Sequence, residues 1–165
     1  MRAGAQCVHG RRSAPGFTLI ELVVVLLLVA ILAAVAIPKF FDKGAFDARG
    51  YFDETTAAVR YAQKLAIATG CDVRVVVSGS GYALSERAAC TSGAWSAVAH
   101  PVRVGDFKAA PPSGVAIGAG FDIYFDKIGR PHDAGSGALR VVAASTTIGG
   151  RTLSVEPETG YAHGS

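Results

Sequence analysis

Residues 17–37, FTLIELVVVLLLVAILAAVAI, form an apolar run interrupted by a single charge, Glu21. As a helix rising about 1.5 Å per residue, the run is about 30 Å long, which matches the hydrocarbon core of a bilayer. Arg2, Arg11 and Arg12 precede it without any acid among residues 1–16, while the residues after it mix both signs. The excess of arginine predicts residues 1–16 on the cytoplasmic side and the C-terminal part across the membrane.

The charge balance sharpens this division. The chain has 16 Lys and Arg against 13 Asp and Glu, and the surplus of three is the three leader arginines. The remainder is neutral in side-chain charge. Phosphate backbones are bound chiefly through clustered Lys and Arg, so no nucleic-acid partner is expected.

Three readings compete for the apolar run. A secretory signal peptide has an A-x-A site available at Ala34-Val35-Ala36. A plain anchor is the second reading. The third is a segment built into a larger assembly, and Glu21 favours it. A carboxylate inside an apolar span costs several kcal/mol, about 2.5–3.5 on insertion scales, and is seldom kept without a partner. Signal peptides and simple anchors have no use for one.

Gly16-Phe17-Thr18-Leu19-Ile20-Glu21-Leu22 resembles the prepilin peptidase site of type IV pilins and type II secretion pseudopilins. The resemblance implies cleavage between Gly16 and Phe17 and N-methylation of Phe17. It also implies that Glu21 sets assembly register against the new amine of a neighbouring subunit, because a buried charge is tolerable only when paired. A contact within one helix end is the local alternative. Pro38 stands where such proteins carry a helix-distorting proline. It predicts a kink and then more helix, or else the helix end at the membrane edge, with Gly44 and Gly50 as weak points further along.

Beyond the run, Phe52, Val59, Ala62, Leu65 and Ala66 recur at helical spacing, and Gly70 is placed to cap that helix. The period then shortens. Strands are expected at 73–77 and 82–85 around the turn Ser78-Gly79-Ser80-Gly81, and again at 115–117, 121–125, 139–144 and 152–155. Pro111-Pro112, residues 126–131 and Gly149-Gly150 mark turns. The fold class is α+β, type IV pilin-like: a long N-terminal helix followed by a small antiparallel β-sheet domain. The expected division is leader 1–16, membrane and assembly helix 17–50, and extracytoplasmic domain 51–165.

Cys71 and Cys90 form an even pair on the exported side, where disulfides persist, so they are paired; two unrelated buried thiols are the alternative. A bridge over this loop is worth about 3 kcal/mol on the chain-entropy model. Trp95 is expected to pack beneath the segment that Cys90 anchors, or to stand exposed as a binding aromatic.

The order of Ala62-Gln63-Lys64-Leu65-Ala66, a valine-rich strand, Gly81-Tyr82 and a closing Thr159-Gly160-Tyr161 is similar to the GspH/FimT-type minor pilins. The cysteine placement is most similar to the MshC-type minor pilins of mannose-sensitive haemagglutinin (MSHA) pili. That resemblance implies a non-enzymatic minor pilin of an MSHA-type pilus; a type II secretion minor pseudopilin is the alternative, and a DNA-binding competence pilin a further one. The implied partners are prepilin peptidase, other major and minor pilins, the inner-membrane assembly platform and membrane lipid. The implied location is the bacterial inner membrane, single-pass with a periplasmic C-terminal domain, and then the pilus at the cell surface.

Catalytic and metal chemistry is not visible. His9, His100, His132 and His163 are scattered without ligand spacing, and Cys71 and Cys90 are too far apart for a CxxC pair. No G-x-S-x-G elbow or dinucleotide fingerprint occurs. Asp122 and Asp126 invite comparison with a weak Ca²⁺ pair on one strand face, or with a solvated turn. No cofactor and no metal are expected.

Overall fold

The computed structural model describes residues 16–40 and 43–165, side chains excepted at 34–40. The chain divides into two units, Met1–Asp42 and Lys43–Ser165. The first contains helix α1 (Leu19–Phe40), which includes Pro38. Cys7, His9 and the three leader arginines lie outside the described residues.

The second unit opens with α2 (Lys43–Thr69), which runs through both Gly44 and Gly50. Its buried stripe is Tyr51, Phe52, Thr55, Thr56, Ala58, Val59, Ala62 and Ala66. Threonine is a poor helix former, yet two are buried here. Thr55 and Thr56 each donate their hydroxyl to the carbonyl four residues back, Tyr51 O and Phe52 O, at 2.8 Å, so no polar atom is stranded. Gly70 ends the helix as expected: its φ is 72°, and its N–H bonds Ala66 O at 2.9 Å.

Among the described residues, β1 (Val73–Ser78), β2 (Gly81–Arg87), β3 (Trp95–Ala97), β4 (Lys108–Ala109), β5 (Phe121–Phe125) and β6 (Pro131–Asp133) form one antiparallel sheet in the order β3-β2-β1-β5-β6, with β4 also against β2. A second sheet comprises β7 (Ala144–Ile148), β8 (Arg151–Val155) and β9 (Ala162–Gly164) in that order. Alternation places Val73, Val75 and Val77 of β1 and Phe121, Ile123 and Phe125 of β5 in the core. There they join Val59, Ala62 and Ala66 of α2 and Leu153 and Val155 of β8 in one cluster. Each large apolar side chain so buried contributes about 1.5–3 kcal/mol before entropy is counted.

Several expected elements move. The strand expected at 139–144 forms instead at β7; Val141 and Val142 are 87% and 67% exposed, and the buried positions are Ala144, Thr146 and Ile148. Residues 115–117 form no strand; Ile117 makes one isolated bridge to Ile148. The turn expected over 126–131 closes a residue earlier, because Pro131 opens β6, the strand position at which a missing N–H does least harm.

Candidate assembly site

In the first unit the candidate site starts with the residues just before α1. Gly16 and Phe17 precede the helix without regular structure and are exposed, and nothing approaches within 4 Å of where a Gly16 side chain would begin. Phe17 is 77% exposed. Thr18 starts the helix: its hydroxyl accepts the Glu21 N–H at 3.3 Å, and its carbonyl accepts the Leu22 N–H at 3.2 Å. Glu21 therefore stands third in the helix after a threonine cap, the order of a capping box, and its carboxylate lies in the first turn where the helix dipole favours negative charge. The Thr18 cap was legible as T-x-x-E before an apolar run, and sequence reasoning passed over it.

From Leu19 to Leu32 every large apolar side chain of α1 is exposed, on all sides of the helix. A helix apolar all round is at home only inside lipid or among other apolar helices. Among the described residues no helix is long and apolar enough to cross a membrane. The expected span 17–37 continues past Ala33 into positions whose side chains are not described, and Pro38 is one of those.

In the second unit, Cys71 and Cys90 are joined by a disulfide. Trp95 is half-buried in β3, with the Arg87 guanidinium 4.0 Å above its ring and Tyr124 at 5.9 Å. The two aspartates compared with a Ca²⁺ pair are otherwise engaged. Asp122 takes both ends of the Arg74 guanidinium, with Nε at 2.7 Å. Asp126 accepts the N–H groups of Ile128 and Arg130 at 3.0 and 2.9 Å and faces His132 Nε2 at 3.1 Å. Burial pushes the Asp126 carboxyl up, but the bonds from the Arg130 N–H, His132, the Ile128 N–H and the Arg130 side chain together hold it below the usual carboxylate range. Among the described residues, no group of three or more His, Cys, Asp and Glu is placed to hold a metal ion.

A polar cluster joins α2 to the loop after β3. Glu54 accepts the Tyr82 hydroxyl at 2.9 Å and Arg103 at 2.6 Å. Burial, then the neighbouring Glu54 carboxylate, pushes the Tyr82 phenol far up. Gln63 ties two further loops to α2, donating to Gly129 O at 2.9 Å and Thr159 O at 2.7 Å.

Residues 11–37 match the family model described as the prokaryotic N-terminal methylation motif. The chain carries that motif. It is also 45% identical over 53 residues to the type IV narrow pilus major component PilA5 of Thermus thermophilus, a stretch covering 32% of this chain and 46% of that protein. The chain thus spans less than half the length of the curated relative it matches. Among solved structures, the type IV minor pilin FimU of Pseudomonas aeruginosa superposes with a TM-score of 0.47 at 16% identity, over 70% of this chain and 85% of that one. The motif encloses Gly16 and Phe17 just before α1, the Thr18 cap, and Glu21 in the first turn of the helix.

Proposed function

We propose that the chain is a minor pilin: a subunit cut by prepilin peptidase between Gly16 and Phe17, methylated on Phe17, and assembled through α1 with other pilins at the inner membrane. The observation that carries this reading is the coincidence of the methylation motif with a capped helix that is apolar on every side and bears one acid in its first turn. Cleavage leaves an amine on Phe17, one helical turn from the Glu21 carboxylate. Within one chain both charges sit at the same helix end. A neighbouring subunit displaced along the axis brings its own amine to this carboxylate, offsetting the burial of both. Membrane lipid houses α1 before assembly, and the unit Lys43–Ser165 faces the periplasm and then the cell surface.

Within this class, residues 62–66 and Thr159-Gly160-Tyr161 support a GspH/FimT-type subunit, and the Cys71–Cys90 placement supports the MSHA-type assignment. A type II secretion pseudopilin shares all the chemistry at Gly16, Phe17 and Glu21, so the partners recovered with the chain from membranes distinguish the two. In cells with prepilin peptidase, Gly16→Asp is expected to retain the leader. Glu21→Ala is expected to be cut normally yet fail to enter filaments. Filaments containing Glu21→Ala at the wild-type level contradict the register role.

A further inference from the structure

The disulfide lies at one end of the larger sheet, between the start of β1 and the loop that joins β2 to the edge strand β3, a loop that little else holds. Residues 88–94 are all exposed and bury no apolar side chain. Among the described residues, beyond bonds within the loop and to Arg87 at its root, two links join it to the domain. One is the Cys71–Cys90 bridge, and the other is the Asp72 N–H to Cys90 O bond at 2.7 Å. Arg87 ends β2 and donates Nη1 to Gly93 O at 2.6 Å, while its guanidinium covers the Trp95 ring in β3. Loop, arginine, tryptophan and edge strand therefore hang together.

Three features of this corner are unfavourable as they stand. Cys90 holds φ at 59°, a left-handed conformation that is unfavourable for a side-chain-bearing residue and persists only where its surroundings enforce it. Asp72 is 9% exposed, and no hydrogen bond reaches its carboxylate among the described residues. Arg87 Nε is buried without a partner. Release of the loop lets Cys90 relax, opens the poorly hydrated Asp72 carboxylate further and lets Arg87 Nε reach water.

We propose that the Cys71–Cys90 bridge is a redox latch on the sheet edge, whose reduction frees residues 88–94 with Arg87 and β3 while α2, β1 and β5 stay folded. Cys71 is buried and Cys90 exposed, which selects the order of events. A thiolate of a dithiol attacks Cys90 Sγ and expels the Cys71 thiolate. The dithiol's second thiol then attacks the mixed disulfide and expels the Cys90 thiolate. Two electrons and two protons pass to the protein, and the dithiol leaves as a disulfide. With β3 gone, the β2 backbone over 85–87 becomes an open sheet edge, able to pair with another strand.

Trp95 is the only tryptophan in the chain, so its fluorescence reports this corner alone. The full chain in detergent micelles is reduced with dithiothreitol, and alkylation of Cys71 and Cys90 is followed by peptide mass spectrometry. The expected result is a red shift of Trp95 emission and greater acrylamide quenching, in step with alkylation of both thiols. Amide protection is expected to be lost over 88–97 but kept in α2, β1 and β5. The double variant Cys71→Ser/Cys90→Ser is expected to show the released spectrum without reductant and no response to it. Unchanged Trp95 emission and protection after both thiols are alkylated overturns the proposal. Equal loss of protection across the whole domain does so too, because the bridge is then a global staple.

Discussion

Gly160→Ala tests how the C-terminal loop is locked onto α2. Gly160 has φ 66° and sits between the 126–130 turn and the Gln63 side chain. An added Cβ meets Gly129 O at a distance no pair of atoms sustains, Gln63 Nε2 at 2.6 Å and Phe125 Cε1 at 3.0 Å. Two costs therefore combine. The left-handed backbone costs about 1–2 kcal/mol for a residue with a Cβ. The overpacking costs about 1–3 kcal/mol, since a carbonyl and a core ring cannot swing away as a free side chain does. Gly150→Ala is the matched control: its φ is 84°, and nothing lies within 4 Å of its Cβ position. Only the first cost applies there. Urea unfolding followed by near-ultraviolet circular dichroism suits the comparison, because all five tyrosines lie in Lys43–Ser165. The expected losses are about 2–5 kcal/mol for Gly160→Ala and about 1–2 kcal/mol for Gly150→Ala. Equal losses in the two variants refute the close approach of Gly160, Gly129 and Gln63.

Gln63→Ala removes the donor shared by Gly129 O and Thr159 O, and is expected to cost about 1–3 kcal/mol in the same unfolding assay. Asp126 has a folded pKa below its unfolded value, so its stabilisation is complete above the ordinary carboxylate range and fades as pH falls through the lowered folded value. Asp126→Asn is expected to flatten the acid limb of a stability-against-pH curve; an unchanged limb counts against the turn hydrogen bonds. Asp72 carries the opposite sign. Burial raises its carboxyl despite the opposing pull of Arg87, so its favourable contribution is present in acid and lost as pH rises through the raised folded value. Asp72→Asn is therefore expected to hold or gain stability at pH 7, and a marked loss there contradicts the unfavourable burial of its charge.

How legible each segment is in the sequence depends on how strongly its residues signal. The β1–β2 hairpin is visible because Val73, Val75 and Val77 alternate ahead of a Gly-Ser turn, and the register Ser78↔Gly81 closes where that turn suggests. The buried stripe of α2 is equally plain, and Gly70 stops it. The strand placed over 139–144 went astray because Val141-Val142 is the apolar-looking part of that stretch. The true β7 buries Ala144, Thr146 and Ile148, a face whose alternation is masked by small and hydroxylated side chains. β9 carries almost no signal of its own. Its position comes from pairing with β8 and from Gly164, which lets the Phe52 ring approach closer than any side chain there permits. At the candidate site, Gly16, Phe17 and Glu21 stood out through residue type and spacing. The threonine cap is a fainter signal, because the T-x-x-E spacing of Thr18 and Glu21 carries less weight than a lone charge in an apolar run.

Mass spectrometry of the chain isolated from membranes of a host with prepilin peptidase tests the central proposal most directly. The expected first residue is Phe17, bearing one added methyl group on its amine. A product beginning after Ala36, or one still carrying Arg2, Arg11 and Arg12, contradicts it.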